Sequence, residues 1–156
     1  MLTVRTGGGQ PTRAMSAPFA SRWILLVEDE TAIRQCSTLA LVRAGYHVDA
    51  VDGGQAGWEA LQAHGYDLLI TDNQMSGLSG ADLIRKLRSE QMGLPVILAS
   101  SHIVPELVAA SSPLQPVSAL PKPFTPDQLL ALVAEVLRRA RRFQNGESNL
   151  HWGINE

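Results

Sequence analysis

Cysteine occurs once in the chain, at Cys36. That excludes an internal disulfide framework and a multi-cysteine zinc site, and it fits a reducing compartment such as the cytoplasm. The thiol falls in an expected helix, where a buried, inert side chain is the reading adopted. No apolar run reaches about 18 residues, so no membrane-spanning helix and no membrane partner are expected. The first 22 residues, MLTVRTGGGQPTRAMSAPFASR, also lack an apolar stretch of signal-peptide length. They contain Arg and Ser but no acid, a faint echo of a transit peptide. A disordered tail over residues 1–21, or a true start at Met15, is the expectation. Excess charge is missing too: 13 Lys and Arg face 15 Asp and Glu, a net charge of −2. No global pull toward nucleic acid or acidic lipid is therefore expected. The basic cluster Arg138–Arg142 reads as a solvated helix end.

What is present is an ordinary globular composition, with 45% hydrophobic and 18% charged residues in 156, enough for one core. From Trp23 onward, short apolar runs alternate with helical patterns. WILLV (23–27), DLLIT (67–71) and PVILA (95–99) read as strands buried on both faces, and HVDAV (47–51) as a strand nearer an edge. VSAL (117–120) is a short fifth strand. Helices are expected over Thr31–Ala44, with Ile33, Leu39 and Val42 among its apolar positions, over Gly53–Gly65 and over Ser79–Glu90. Gly45 suits a helix stop, and Ser79 with Asp82 has capping-box spacing. A short helix is expected within Val104–Pro113. The clearest helix is Thr125–Phe143, where Thr125 caps and Pro126 takes the first position. A flexible tail over 144–156 follows. This alternation points to a doubly wound α/β fold with a five-stranded parallel sheet and helices on both faces.

In such sheets, ligands bind outside the carboxyl ends of the strands. Strand one is followed by Glu28, Asp29 and Glu30, strand three by Asp72, strand four by Ser100 and Ser101, and strand five by Lys122. Taken singly, each has an ordinary explanation. Acids are favoured at a helix N-terminus, Asp72 suits a turn, and Lys122 a solvated loop. Together they form a more specific set. Clustered carboxylates repel unless a cation joins them, and oxygen-only ligands suit Mg²⁺. Three acids, a metal ion, a lysine and a hydroxyl would cage a tetrahedral anion, with Asp72 as the nucleophile for phosphoryl transfer.

ILLVEDE, DLLITDNQMSGLSG, LPVILASS and LPKPFTPDQL resemble the receiver domain of bacterial response regulators, the CheY-like superfamily. The resemblance covers residues 22–143, and the spacing of 22 residues from Ser100 to Lys122 agrees with it. It implies a flavodoxin-like sheet of order 2-1-3-4-5, an order that comes with the family and not from the residues. It also implies that Asp72 accepts a phosphoryl group from a histidine kinase or phosphotransfer protein. Asp29 and Asp72 would bind Mg²⁺ directly with the backbone carbonyl of Gln74, and Glu28 would act through water. Ser100 and Lys122 would contact the phosphoryl oxygens, and Gln74 and His102 would tune loss of the phosphate.

Three features depart from the family pattern: Ser76 replaces the usual Pro, Ala119 stands where a switch aromatic often sits, and Pro105, Pro113 and Pro116 shorten the segment after strand four. Signalling through the Pro-rich 104–117 segment, or only weak signalling, is the corresponding expectation. The leading reading is a stand-alone phosphoacceptor receiver, monomeric or weakly dimeric, that signals through a partner protein. The alternatives are a pseudo-receiver binding module without phosphorylation, and an aspartyl-phosphate hydrolase. The hydrolase would need a second Asp where Gln74 stands.

Overall fold

The computed structural model describes residues 22–102, 105–106 and 116–144. Five parallel strands run β1 (Trp23–Val27), β2 (His47–Val51), β3 (Leu68–Asp72), β4 (Val96–Ser100) and β5 (Val117–Pro121). Their order is β2-β1-β3-β4-β5, the flavodoxin-like topology, with every pairing parallel. β1, β3 and β4 are buried along their whole length, as expected of strands covered on both faces. β2 and β5 are the edge strands, and Ala50 on β2 is exposed.

Successive side chains of a strand point to opposite faces, so each buried strand feeds two cores. Ile24, Leu26, Ile70 and Ile97 pack on one face, against Leu41 of helix α1 (Thr31–Arg43) and Leu129, Val133 and Leu137 of helix α4 (Pro126–Gln144). Leu25, Val27, Leu69 and Leu98 pack on the other, against Trp58 and Leu61 of α2 (Gly54–Ala63) and Leu83, Ile84 and Leu87 of α3 (Gly80–Ser89). The short helix expected within Val104–Pro113 lies largely outside the described residues, as do the two expected tails apart from Gln144.

Local signals place the helix ends. At α3 the Ser79 hydroxyl accepts from the Asp82 N–H (3.1 Å) and the Asp82 carboxylate accepts from the Ser79 N–H (3.4 Å), the reciprocal capping box. Thr125 and Gln128 make the same exchange before α4, at 3.1 and 2.9 Å. Gly45 ends α1 with φ +99°, where a Cβ would be strained.

Two expectations for α1 are corrected. Leu39 is 46% exposed, and the buried positions are Ser37, Thr38 and Leu41. Small polar side chains can face a core when their hydroxyls are satisfied nearby; Thr38 donates to the Arg34 carbonyl at 2.7 Å. Cys36 is exposed, not buried. It lies one residue before the buried pair, and a step of one residue on a helix turns the side chain by about 100°.

Candidate functional site

Each proposed site residue stands at the carboxyl end of a strand. Asp72 and Ser100 are the last residues of β3 and β4, one position further into the sheet than the sequence pattern suggested. The parallel ladder continues past them. Glu28 N–H donates to the Val51 carbonyl (3.1 Å), Asn73 N–H to Ala99 (3.1 Å) and Lys122 N–H to Ser100 (3.0 Å). These bonds fix the backbone where the side chains leave the sheet, so the rim inherits the sheet's rigidity.

The side chains converge. One carboxylate oxygen from each of Glu28, Asp29 and Asp72 lies within 4.8 Å of the others. Glu28 and Asp72 are buried, at 3% and 5% exposure, while Asp29 is exposed. Lys122 Nζ bridges the two buried acids, 3.1 Å from Glu28 Oε2 and 3.2 Å from Asp72 Oδ1. The other Glu28 oxygen accepts from the Glu30 N–H (3.2 Å), and Asp72 Oδ1 also accepts from the Gln74 N–H (3.3 Å). Ser100 Oγ accepts from the His102 N–H (3.1 Å), which leaves the hydroxyl proton available to donate. None of the acids caps α1, since the N-cap Glu30 makes no side-chain capping bond. Side-chain capping of α1 therefore does not account for the acidic triplet.

Burial pushes Glu28 above its usual carboxylate range, and the neighbouring Asp72 charge adds to this, against the Lys122 hydrogen bond that pulls it down. For Lys122, burial pulls down, but hydrogen bonds and attraction from Glu28 and Asp72 outweigh it and leave the ammonium held above its usual value. One ammonium for three acids leaves negative charge uncompensated. An oxygen-only donor set with excess negative charge fits a hard divalent cation. The sign of the pH dependence follows. Native Glu28 binds its proton more tightly than the unfolded chain does, so metal-free stability should fall as pH rises from about 4.5 through the raised pKa. A Mg²⁺ ion held by this cluster would have to displace that proton, so its affinity should rise over the same window. Thermal unfolding at several pH values, with and without Mg²⁺, checks both slopes.

Two contributors to the site escaped the sequence pattern. Arg34 Nη1 donates to the backbone carbonyls of Glu28 (2.8 Å) and Asp29 (3.4 Å) and so clasps the acidic turn. Its only signal was an Arg one turn into the helix after EDE. Gly80, at the start of α3, packs against the strand end itself: a Cβ there would lie 2.2 Å from the Asp72 carbonyl oxygen and 2.9 Å from Asn73 Cα. The neighbouring Ala81 N–H donates to Asn73 Oδ1 (3.0 Å) and ties α3 to the same residues. Gly80→Ala should therefore cost about 3 kcal/mol, because rigid backbone must move, and a denaturant titration measures it.

Fold and rim define a protein of the receiver class, a parallel sheet presenting an acid cluster, a hydroxyl and a lysine at its carboxyl edge. The chain belongs to the response regulator receiver domain family, whose family model matches residues 24–134. It is 37% identical over 123 residues to response regulator RppA of Synechocystis sp., an alignment covering 78% of this chain and 53% of RppA. The structure of chemotaxis protein CheY4 of Vibrio cholerae aligns with a TM-score of 0.67 at 26% identity, covering 75% of this chain and 99% of CheY4. That of TrrA of Thermotoga maritima in complex with Mg²⁺-BeF aligns with a TM-score of 0.63 at 26% identity, covering 74% and 98%. The chain spans 49–61% of the length of the curated relatives it matches. Among the described residues, no helix is long and apolar enough to cross a membrane.

Proposed function

We propose that residues 22–143 are a phosphoacceptor receiver of a two-component system, with Asp72 as the acceptor. The observation that carries this reading is the Lys122 ammonium lying 3.2 Å from Asp72 and 3.1 Å from Glu28 inside a three-carboxylate cluster. An Asp72 oxygen attacks the phosphorus of a phosphohistidine on a kinase or phosphotransfer protein. The P–N bond breaks, and the imidazole leaves with the electron pair. Mg²⁺, held by Asp29, Asp72 and the Gln74 carbonyl with Glu28 acting through water, would neutralise charge on the transferring oxygens. Lys122 turns from its carboxylate partners toward the new phosphoryl group, and the Ser100 hydroxyl donates to one of its oxygens.

The same pocket accepts phosphate from small donors and later loses it to water, with Gln74 and His102 at its exposed mouth. The bound state of TrrA, with Mg²⁺ and a fluoride complex of beryllium, is the kind of ligand pair such a pocket should hold. The domain works as a monomer or weak dimer in the cytoplasm, where ATP charges the donor histidine, and it signals to a partner protein. Ala119 is exposed on β5 and offers no ring to swing inward, so the output route runs through the 104–117 segment.

Acetyl phosphate with Mg²⁺ should add one phosphoryl group per chain, and a chelator should prevent it. Uptake that ignores the chelator, or no uptake with a folded protein, would favour the pseudo-receiver alternative. Steady turnover of small phosphate esters would favour the hydrolase.

A further inference from the structure

The net charge of −2 hides a separation of charge along the strand axis. All five strands are parallel, so their carboxyl ends share one rim and their amino ends one base. The rim carries Glu28, Asp29, Glu30 and Asp72, with Asp52 just past β2 and Asp127 in the first turn of α4. Helices α1 and α4 start at the rim and run back to the base. There α1 ends on Arg43, and α4 carries Arg138, Arg139, Arg141 and Arg142. All five arginines are exposed. Leu137 and Ala140 line the same cavity as Arg22, which precedes β1, so this stretch of α4 lies beside the amino end of the sheet. Arg139 pairs with Glu135. Among the described residues, no carboxylate pairs with Arg138, Arg141 or Arg142. At 100° per residue the four α4 arginines fall within an arc of about 160°, opposite the buried Val133, Val136 and Leu137.

We propose that the α1–α4 corner of the base is a docking surface for an anionic lipid bilayer, with these arginines resting among the lipid phosphates. Guanidinium forks match phosphate oxygens two at a time. The net negative charge of the chain does not prevent this. Salt screens charges beyond about 8 Å at physiological ionic strength, and a five-residue strand sets the rim about 15 Å from the base. The lipid surface therefore meets the arginines and not the acids. Leu129, Val133, Val136 and Leu137 hold α4 flat against the sheet, so the arginines form a shallow face and not a projecting helix that could enter a duplex groove. Only Ala140 interrupts them, so no aromatic ring is interleaved for bases to stack on. A plane of phosphates fits that face better than a nucleic acid does. Docked this way, the chain keeps its acidic rim at the end away from the lipid.

The test is co-sedimentation of the full chain with phosphatidylcholine vesicles, plain or containing about 30% phosphatidylglycerol to supply negative surface potential. In about 0.1 M salt the chain should pellet with the anionic vesicles and stay in solution with the plain ones, and about 1 M salt should release it. Each arginine near such a surface strengthens binding about fivefold, so Arg138→Gln with Arg142→Gln should weaken it about thirtyfold, with circular dichroism unchanged. Arg85→Gln with Lys86→Gln changes the net charge equally, but on α3, across the sheet from α4. Two layers of about 10 Å separate them, more than two Debye lengths, so this pair should leave binding within about twofold. Absence of binding to the anionic vesicles, or equal losses in the two double variants, would overturn the proposal. Tighter binding to a short DNA duplex at the same salt would assign the base to nucleic acid and overturn it as well. The vesicle-bound chain should take phosphoryl groups from acetyl phosphate as fast as the free chain, and slower uptake would overturn the orientation. No uptake by either would instead remove the receiver reading, on which the docking does not rest.

Discussion

Asp72→Asn should lower phosphoryl uptake from acetyl phosphate by at least about a thousandfold, since a neutral amide is no nucleophile and the change removes one of the proposed metal ligands. The fold should survive. An Asn side-chain oxygen can still accept from the Gln74 N–H that Asp72 binds at 3.3 Å. The residue is also held by its backbone, in register with Ala99 of β4 and followed by the Asn73 to Ala99 hydrogen bond. Removing a carboxylate beside Glu28 also takes away one of the influences that raise the Glu28 pKa. The pH slope of metal-free stability should then flatten. Uptake measured by intact mass, together with a thermal melt, reads both effects. A variant that still gains phosphate at the wild-type rate would place the acceptor elsewhere.

Lys122→Ala should show a double loss. Lys122 is the cation within 4 Å of both buried acids, and its side chain is 16% exposed. Breaking a buried charge pair by removing one partner costs about 3–5 kcal/mol; partial solvent access and proton uptake by Glu28 bring the expected loss toward about 2 kcal/mol. Uptake should fall about a hundredfold, the usual size of losing one charged stabiliser of a developing anion. Mg²⁺ should restore more stability to the variant than it adds to the wild type, because it supplies the positive charge that the acids have lost. A lysine that only braced the loop would show the stability loss without the larger metal response.

How much of this was legible in the sequence depends on range. The strands could be read because WILLV, DLLIT and PVILA are too apolar to be anything but covered, and the capping residues Ser79 and Thr125 act within four residues of themselves. The rim residues could be located because a strand's end is a sequence position. The strand order could not be read from periodicity and came with the family resemblance. Helix α1 misled because its buried side carries Ser37 and Thr38, whose burial depends on what packs around the helix, while Leu39 faces solvent. Cys36 was misread for the same reason. Gly80 and Arg34 act through close approach to backbone atoms, and residue type alone gives no sign of that.

Four strand ends should act as one receptor for a metal ion and a tetrahedral anion. Amide resonances followed while Mg²⁺ and beryllofluoride are added test this most directly. Asp29, Asp72, Ser100 and Lys122 should shift together, saturate with a single apparent affinity, and stay still in Asp72→Asn. Movement at Asp29 and Asp72 with Ser100 and Lys122 unmoved would contradict it.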